Sequence, residues 1–124
     1  LAADEMEIGI GIHGEPGTHR EKMRPANEIA KMLVDQILAD LDYKGHEVVV
    51  LINGMGGTPL MELYIVNNFV QDYLKEQGIS VYDTMVGNYM TSIEMAGFSI
   101  TLLRLDDEMK ALYDAPADTL AWKK

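Results

Sequence analysis

The chain has 124 residues, 48% of them hydrophobic, which is enough for one compact core and too little for two independent domains. With 20 acidic against 10 basic residues its formal charge is −10, which argues against a nucleic-acid surface, because neutralising phosphates takes clustered Lys and Arg. No apolar run reaches the roughly 18 residues of a membrane span, no basic-then-apolar leader opens the sequence and there is no cysteine, so the expectation is a cytoplasmic protein that binds neither membrane nor nucleic acid.

Met6 to Ile12 (MEIGIGI) alternates large apolar residues with Glu or Gly, the period of a strand. Gly14 to Met23 reads as a loop, and the basic cluster His19 to Arg24 as part of its solvated surface. From Asn27, placed as a cap, the residues Ile29, Leu33, Ile37 and Leu41 recur every four positions and predict a helix that Gly45 terminates. Glu47 to Ile52 (EVVVLI) is apolar without alternation, as in a central strand covered on both faces. Thr58 then reads as an N-cap and Pro59 as the first residue of a second helix that runs to about Gln77 and stops at Gly78. Ile79 to Val86 and Ser99 to Leu105 read as two further strands. Between them Thr91-Ser92-Ile93-Glu94 has capping-box spacing for a short helix ended by Gly97. A last helix covers about Asp106 to Tyr113, before an irregular tail that contains Trp122. The order is that of an α/β domain with a mixed sheet, because the short link between the last two strands permits an antiparallel pair. The chain opens on Leu1 with no processing signal, and a piece of a longer protein is the expectation.

Several stretches can carry chemistry. His13 stands between glycines at a strand end, where an imidazole serves as nucleophile or base, or is simply a loop histidine satisfied by carbonyls. His13, Glu15 and His19 could converge on a metal, but no HExxH pattern or cysteine set supports that reading. Gly54 to Thr58 suits either an anion-binding nest of N–H groups or a tight strand-to-helix turn, and lacks a P-loop lysine. Val86 to Ser92 is either a strand-end site or a capped turn. Asp106, Asp107 and Glu108 fit the first turn of a helix better than a Mg²⁺ site. The methionines 55, 61, 85, 90, 95 and 109 read as core filler.

Three stretches in this order, GIHGEPG (Gly11 to Gly17), NGMGGTPLMELY (Asn53 to Tyr64) and GNYMTSIEMAGFSITLLRLDDE (Gly87 to Glu108), resemble the C-terminal half of the substrate-binding subunit of the dihydroxyacetone (glycerone) kinase family, over nearly the whole chain. The resemblance implies a single domain over residues 1–124, with a mixed sheet of about four strands and flanking helices, as the second domain of a two-domain subunit. It implies that a ring nitrogen of His13 adds to the carbonyl carbon of dihydroxyacetone, giving a hemiaminal that presents a terminal hydroxyl for phosphorylation. Glycerol has no carbonyl and is rejected. Gly14 and Glu15 are implied beside His13 in substrate binding, the glycines as clearance for the adduct and Glu15 as an orienting group.

The same resemblance places the family's acid and base, a histidine and an aspartate, and a Gly-rich substrate loop in an N-terminal domain that no position here matches. This stretch alone is therefore not expected to complete the reaction. Ending soon after LYDAPADTLAWKK, it resembles the split type. There ADP and Mg sit on a separate kinase subunit recharged from phosphoenolpyruvate by the phosphotransferase system, and no cofactor or metal is expected on this chain. A homodimer is the family's expectation. Two rival readings remain open: a non-catalytic dihydroxyacetone-binding paralogue that co-activates a transcription regulator, and a generic α/β binding domain in which His13 is inert.

Overall fold

The run EVVVLI forms a strand covered on both faces, and the rest of the domain is arranged about it. In chain order the elements are β1 (Glu5–Ile8), β2 (His19–Lys22), α1 (Ala26–Asp40), β3 (Glu47–Gly54), α2 (Leu60–Glu76), β4 (Ser80–Gly87), β5 (Phe98–Leu105) and α3 (Asp107–Tyr113), in a computed structural model that describes residues 1–124. β3 is the middle of a three-stranded sheet ordered β4-β3-β5, parallel to β4 and antiparallel to β5. This is the expected α/β architecture with a mixed sheet. The first strand is not in that sheet but pairs with β2 in a separate antiparallel hairpin.

One face of the sheet carries the main core. Val48, Val50 and Ile52 of β3 and Leu102 of β5 pack with Ala30 and Val34 of α1 and with Leu63, Val66, Val70 and Leu74 of α2. The α2 positions recur at three and four residues, which puts them on one side of the helix. Val49 and Leu105, of opposite strand parity, are buried outside that cluster. β3 thus lacks a solvent face, which is why its sequence does not alternate. Beyond α3, Trp122 of the tail packs against the rings of Tyr113, at 5.9 Å, and Tyr89, at 6.3 Å. No helix is long and apolar enough to cross a membrane.

Several local expectations are corrected. β1 stops at Ile8, leaving Ile10 and Ile12 exposed, and residues 19–22 form a strand where a loop is expected. The hairpin register sets Glu5 opposite Lys22 and Glu7 opposite Arg20, and Arg20 Nε lies 3.1 Å from Glu7 Oε2, so charge complementarity sets a pairing that apolar alternation cannot. Pro25, not Asn27, precedes α1, and Pro59, not Thr58, precedes α2; the Pro25 carbonyl accepts the N–H groups of Glu28 and Ile29, and the Pro59 carbonyl those of Glu62 and Leu63.

Residues 91–97 form no helix. Their backbone is bonded instead to the turn after β3, with Met55 N–H donating to Gly97 O at 3.1 Å and Gly57 N–H to Met95 O at 3.0 Å. None of methionines 55, 61, 85, 90, 95 and 109 is fully buried, so they are not core filler; Met61, Met90 and Met95 are exposed. Asp106 caps α3 as its sequence suggests, accepting the Met109 N–H at 2.8 Å.

Leu63 is fully buried between α2 and the sheet. Leu63→Ala is expected to lower unfolding stability by about 2–5 kcal/mol in urea titrations, whereas Met61→Ala, at a 76% exposed position of the same helix, stays within about 0.5 kcal/mol.

Candidate functional site

The loop that closes the β1–β2 hairpin is built from backbone and two acids. At its base Thr18 N–H donates to Ile8 O at 2.7 Å, and Gly17 N–H donates to Glu7 Oε1 at 2.8 Å. Nearer the tip Gly11 N–H donates to Glu15 O at 3.2 Å, closing a five-residue turn around His13. Gly14 has φ +93°, a conformation that L side chains rarely adopt, so the residue that follows His13 is glycine for a backbone reason.

Within this turn the structure brings His13 and Glu15 together. One carboxylate oxygen of Glu15, Oε2, accepts the His13 backbone N–H, and the other, Oε1, lies 3.4 Å from His13 Nδ1. The Glu15 carboxyl is held below the usual carboxylate range, first by the His13 N–H and then by its own backbone N–H, with the imidazole adding to both. The His13 side chain is 77% exposed and that of Glu15 59%. One ring nitrogen therefore faces a carboxylate while the other points away from it, the arrangement of a nucleophile or base offered to a small molecule. His19 does not join them: its ring nitrogens lie 3.0 Å from Thr18 Oγ1 and 3.3 Å from Glu21 Oε1. No three of the His, Asp and Glu residues form a metal-binding group.

A second polar cluster lies at the end of β3. Asn53, 3% exposed, accepts the N–H groups of Tyr89 and Met90 on Oδ1 at 2.8 and 2.9 Å and donates through Nδ2 to Met90 O at 2.7 Å. Thr58 Oγ1 donates to Gly97 O at 2.8 Å and accepts from Gly97 N–H at 3.0 Å. The expected loops Gly54–Thr58 and Val86–Ser92 are thus brought together. The N–H groups of Met55 and Gly57 are already spent on residues 95–97, which favours the tight-turn reading of the glycines over the anion nest. A Cβ on Gly57 would lie 2.7 Å from Glu94 O. Sequence reasoning missed Asn53; its signal is a polar residue closing an apolar strand most of whose members are buried. Asp107 and Glu108 are exposed in the first turn of α3, in keeping with a role at the helix end.

Fold and loop together define an α/β domain that presents an open histidine on a glycine-rich hairpin tip. The Dak1 domain family matches residues 1–121, and the chain belongs to it. It is 52% identical to the Listeria innocua protein named PTS-dependent dihydroxyacetone kinase 1, dihydroxyacetone-binding subunit DhaK, over 98% of this chain and 38% of that protein. Among solved structures, one described as regulation of the dha operon of Lactococcus lactis superposes with a TM-score of 0.89 at 38% identity, covering all of this chain and 40% of the other. A dihydroxyacetone kinase operon co-activator, Dha-DhaQ, superposes with a TM-score of 0.83 at 39% identity, over 94% and 37%. The chain spans about two fifths of the length of these proteins.

Two outcomes follow from the geometry. Asn53→Ala removes the acceptor of the part-buried Tyr89 and Met90 N–H groups and is expected to cost roughly 1 kcal/mol or more in denaturant unfolding, with faster amide exchange across 88–97. Glu7 is held below its ordinary value of 4.5, first by the Gly17 N–H and then by Arg20. A depressed native pKa means that this support is present above 4.5 and is lost as pH falls through the lower native value. The Gly17 amide shift in NMR is therefore expected to titrate with a midpoint under 4.5, and not to titrate in Glu7→Gln.

Proposed function

We propose that residues 1–124 are the dihydroxyacetone-binding domain of a dihydroxyacetone (glycerone) kinase, in which His13 holds the ketone as a covalent hemiaminal for phosphoryl transfer from a partner subunit. The observation that carries this reading is the open His13 ring, with Nδ1 beside Glu15 and Nε2 without a protein partner, in a chain 52% identical to a protein named as a dihydroxyacetone-binding subunit. The Nε2 lone pair adds to the carbonyl carbon, the carbonyl π pair moves to oxygen, the oxygen takes a proton from solvent, and the ring keeps its Nδ1 proton as an imidazolium facing Glu15. Nothing is expelled, so the protein gains the mass of the whole ketone. Addition to a lysine that went on to a Schiff base would lose water. Glycerol offers the same hydroxyls without an electrophilic carbon and forms no bond.

In this reading His13 is the catalytic anchor, Gly14 and Glu15 lie beside the bound ketone, and the chain is the C-terminal half of a two-domain, cytoplasmic, homodimeric subunit. The acid and base lie in the N-terminal half, and ADP and Mg lie on a separate subunit recharged through the phosphotransferase system. The similarity to the co-activator structure supports a second reading, a sensor that forms the adduct without turnover. Phosphorylation of dihydroxyacetone by the complete protein with its ADP-bearing subunit separates the two: turnover marks the kinase, adduct without turnover the sensor.

Intact-protein mass spectrometry of the complete subunit is expected to show an increase of one whole dihydroxyacetone, absent with glycerol and absent in His13→Ala. No increase, or one that survives His13→Ala, rejects the covalent reading. His13→Asn is expected to abolish the adduct while changing stability by no more than about 0.5 kcal/mol, because the ring packs against no core.

A further inference from the structure

Gly11 and Glu15 are joined by more than the backbone bond that closes the turn. A Cβ built on Gly11 would lie 2.7 Å from both Cβ and Cδ of Glu15 and closer still to Oε2, distances that real Cβ atoms do not reach. The Glu15 side chain therefore folds back over the α-carbon of Gly11, and only glycine leaves that space open. Folded in this way, the carboxylate meets His13 twice, at the backbone N–H and at Nδ1. The two contacts act differently. The first fixes where the carboxylate sits, and the second puts an acceptor-only group 3.4 Å from Nδ1, a setting that favours N–H there.

We infer that Glu15 is a positioning residue that holds His13 in the Nδ1–H tautomer, with the Nε2 lone pair outward, and that Gly11 is glycine to admit the Glu15 side chain and not to admit substrate. This deepens the covalent reading above and rests on it only for the effect on the adduct; the tautomer and the role of Gly11 stand on the loop geometry. In the free protein the Nδ1–H tautomer makes Nε2 the nucleophile without a prior proton shift. As Nε2 forms its bond to the carbonyl carbon, positive charge develops over the ring and the Glu15 carboxylate opposes it at Nδ1, which favours the adduct. The depressed carboxyl of Glu15 keeps that charge in place well below neutrality.

The test uses the complete protein labelled with ¹⁵N-histidine, with the His13 signals identified by their loss in His13→Ala. Expected is a predominantly Nδ1–H ring at neutral pH without ligand. Glu15→Gln can turn its carbonyl to the His13 backbone N–H and its NH₂ to Nδ1, so the tautomer is expected to flip to Nε2–H, with adduct affinity for dihydroxyacetone falling roughly 10- to 100-fold. Gly11→Ala keeps the carboxylate but displaces it, and is expected to reproduce both changes. A tautomer unchanged in Glu15→Gln, or an adduct equally tight in both variants, overturns the inference. A tautomer that flips as expected in a native protein that forms no adduct upholds the role of Glu15 and rejects the covalent reading instead.

Discussion

The strand order β4-β3-β5 imposes the constraint on which the upper end of the domain depends. β4 and β5 flank β3, so the chain between them must cross the end of β3, leaving beside Asn53, where Gly87 pairs, and landing beside Gly54, where Phe98 pairs. A crossing segment has no ladder to satisfy its backbone, and buried N–H and C=O groups need partners. Asn53 meets that need with a single side chain, taking two N–H groups and giving one to a carbonyl. The turn after β3 completes it through Met55, Gly57 and Thr58. The motif NGMGGTP is thus accounted for by covering one strand end: Asn to bind the crossing loop, glycines to let it come close, and Pro59 to start α2 behind it.

The hairpin that carries His13 obeys a different logic. It shares no strand pairing with the main sheet, and its register rests on charge pairs each worth only a few tenths of a kcal/mol. Its tip is held by contacts that span no more than ten or so residues, from Glu7 to Gly17 and from Gly11 to Glu15. Such a loop is set by its own sequence, which explains why GIHGEPG acts as a unit: remove Gly11 and Glu15 has no room, remove Glu15 and His13 loses both its contacts. It also explains why Ile12 and His13 are exposed and stand clear of the core.

The sequence was legible wherever burial or a local cap decides structure. The unbroken run of β3, the three- and four-residue spacing of α2 and the Asp106 cap of α3 all survive in the structure because each follows from one local pattern. Where a long-range contact overrides a local pattern, reading failed. Thr91 to Glu94 has capping-box spacing, but the backbone of 55–57 claims Met95 and Gly97 and leaves no helix. Residues 19–22 have no apolar face, so their strand shows only when Arg20 and Lys22 are set against Glu7 and Glu5. The methionines look like filler by composition, yet Met61, Met90 and Met95 face outward around the start of α2 and the crossing loop. At the site, sequence set His13 at a strand end and read its glycines as clearance for substrate, whereas β1 stops at Ile8, His13 stands exposed in the loop beyond it, and the space at Gly11 is taken by Glu15.

That distinction bears on how so exposed a loop would select so small a molecule in the covalent reading proposed above. A three-carbon ketone offers only a few hydroxyls, and each hydrogen bond to them contributes about 0.5–1.5 kcal/mol net, too little to distinguish it from a triol of the same size. A covalent bond to the carbonyl carbon removes the need for a deep cavity, because the discrimination lies in whether an electrophile is present at all. What the protein must then supply is one nucleophilic nitrogen in the correct protonation state at a defined place. In the inference drawn for Glu15 and Gly11, a carboxylate folded back and an α-carbon without a substituent would supply it together, on a turn of five residues.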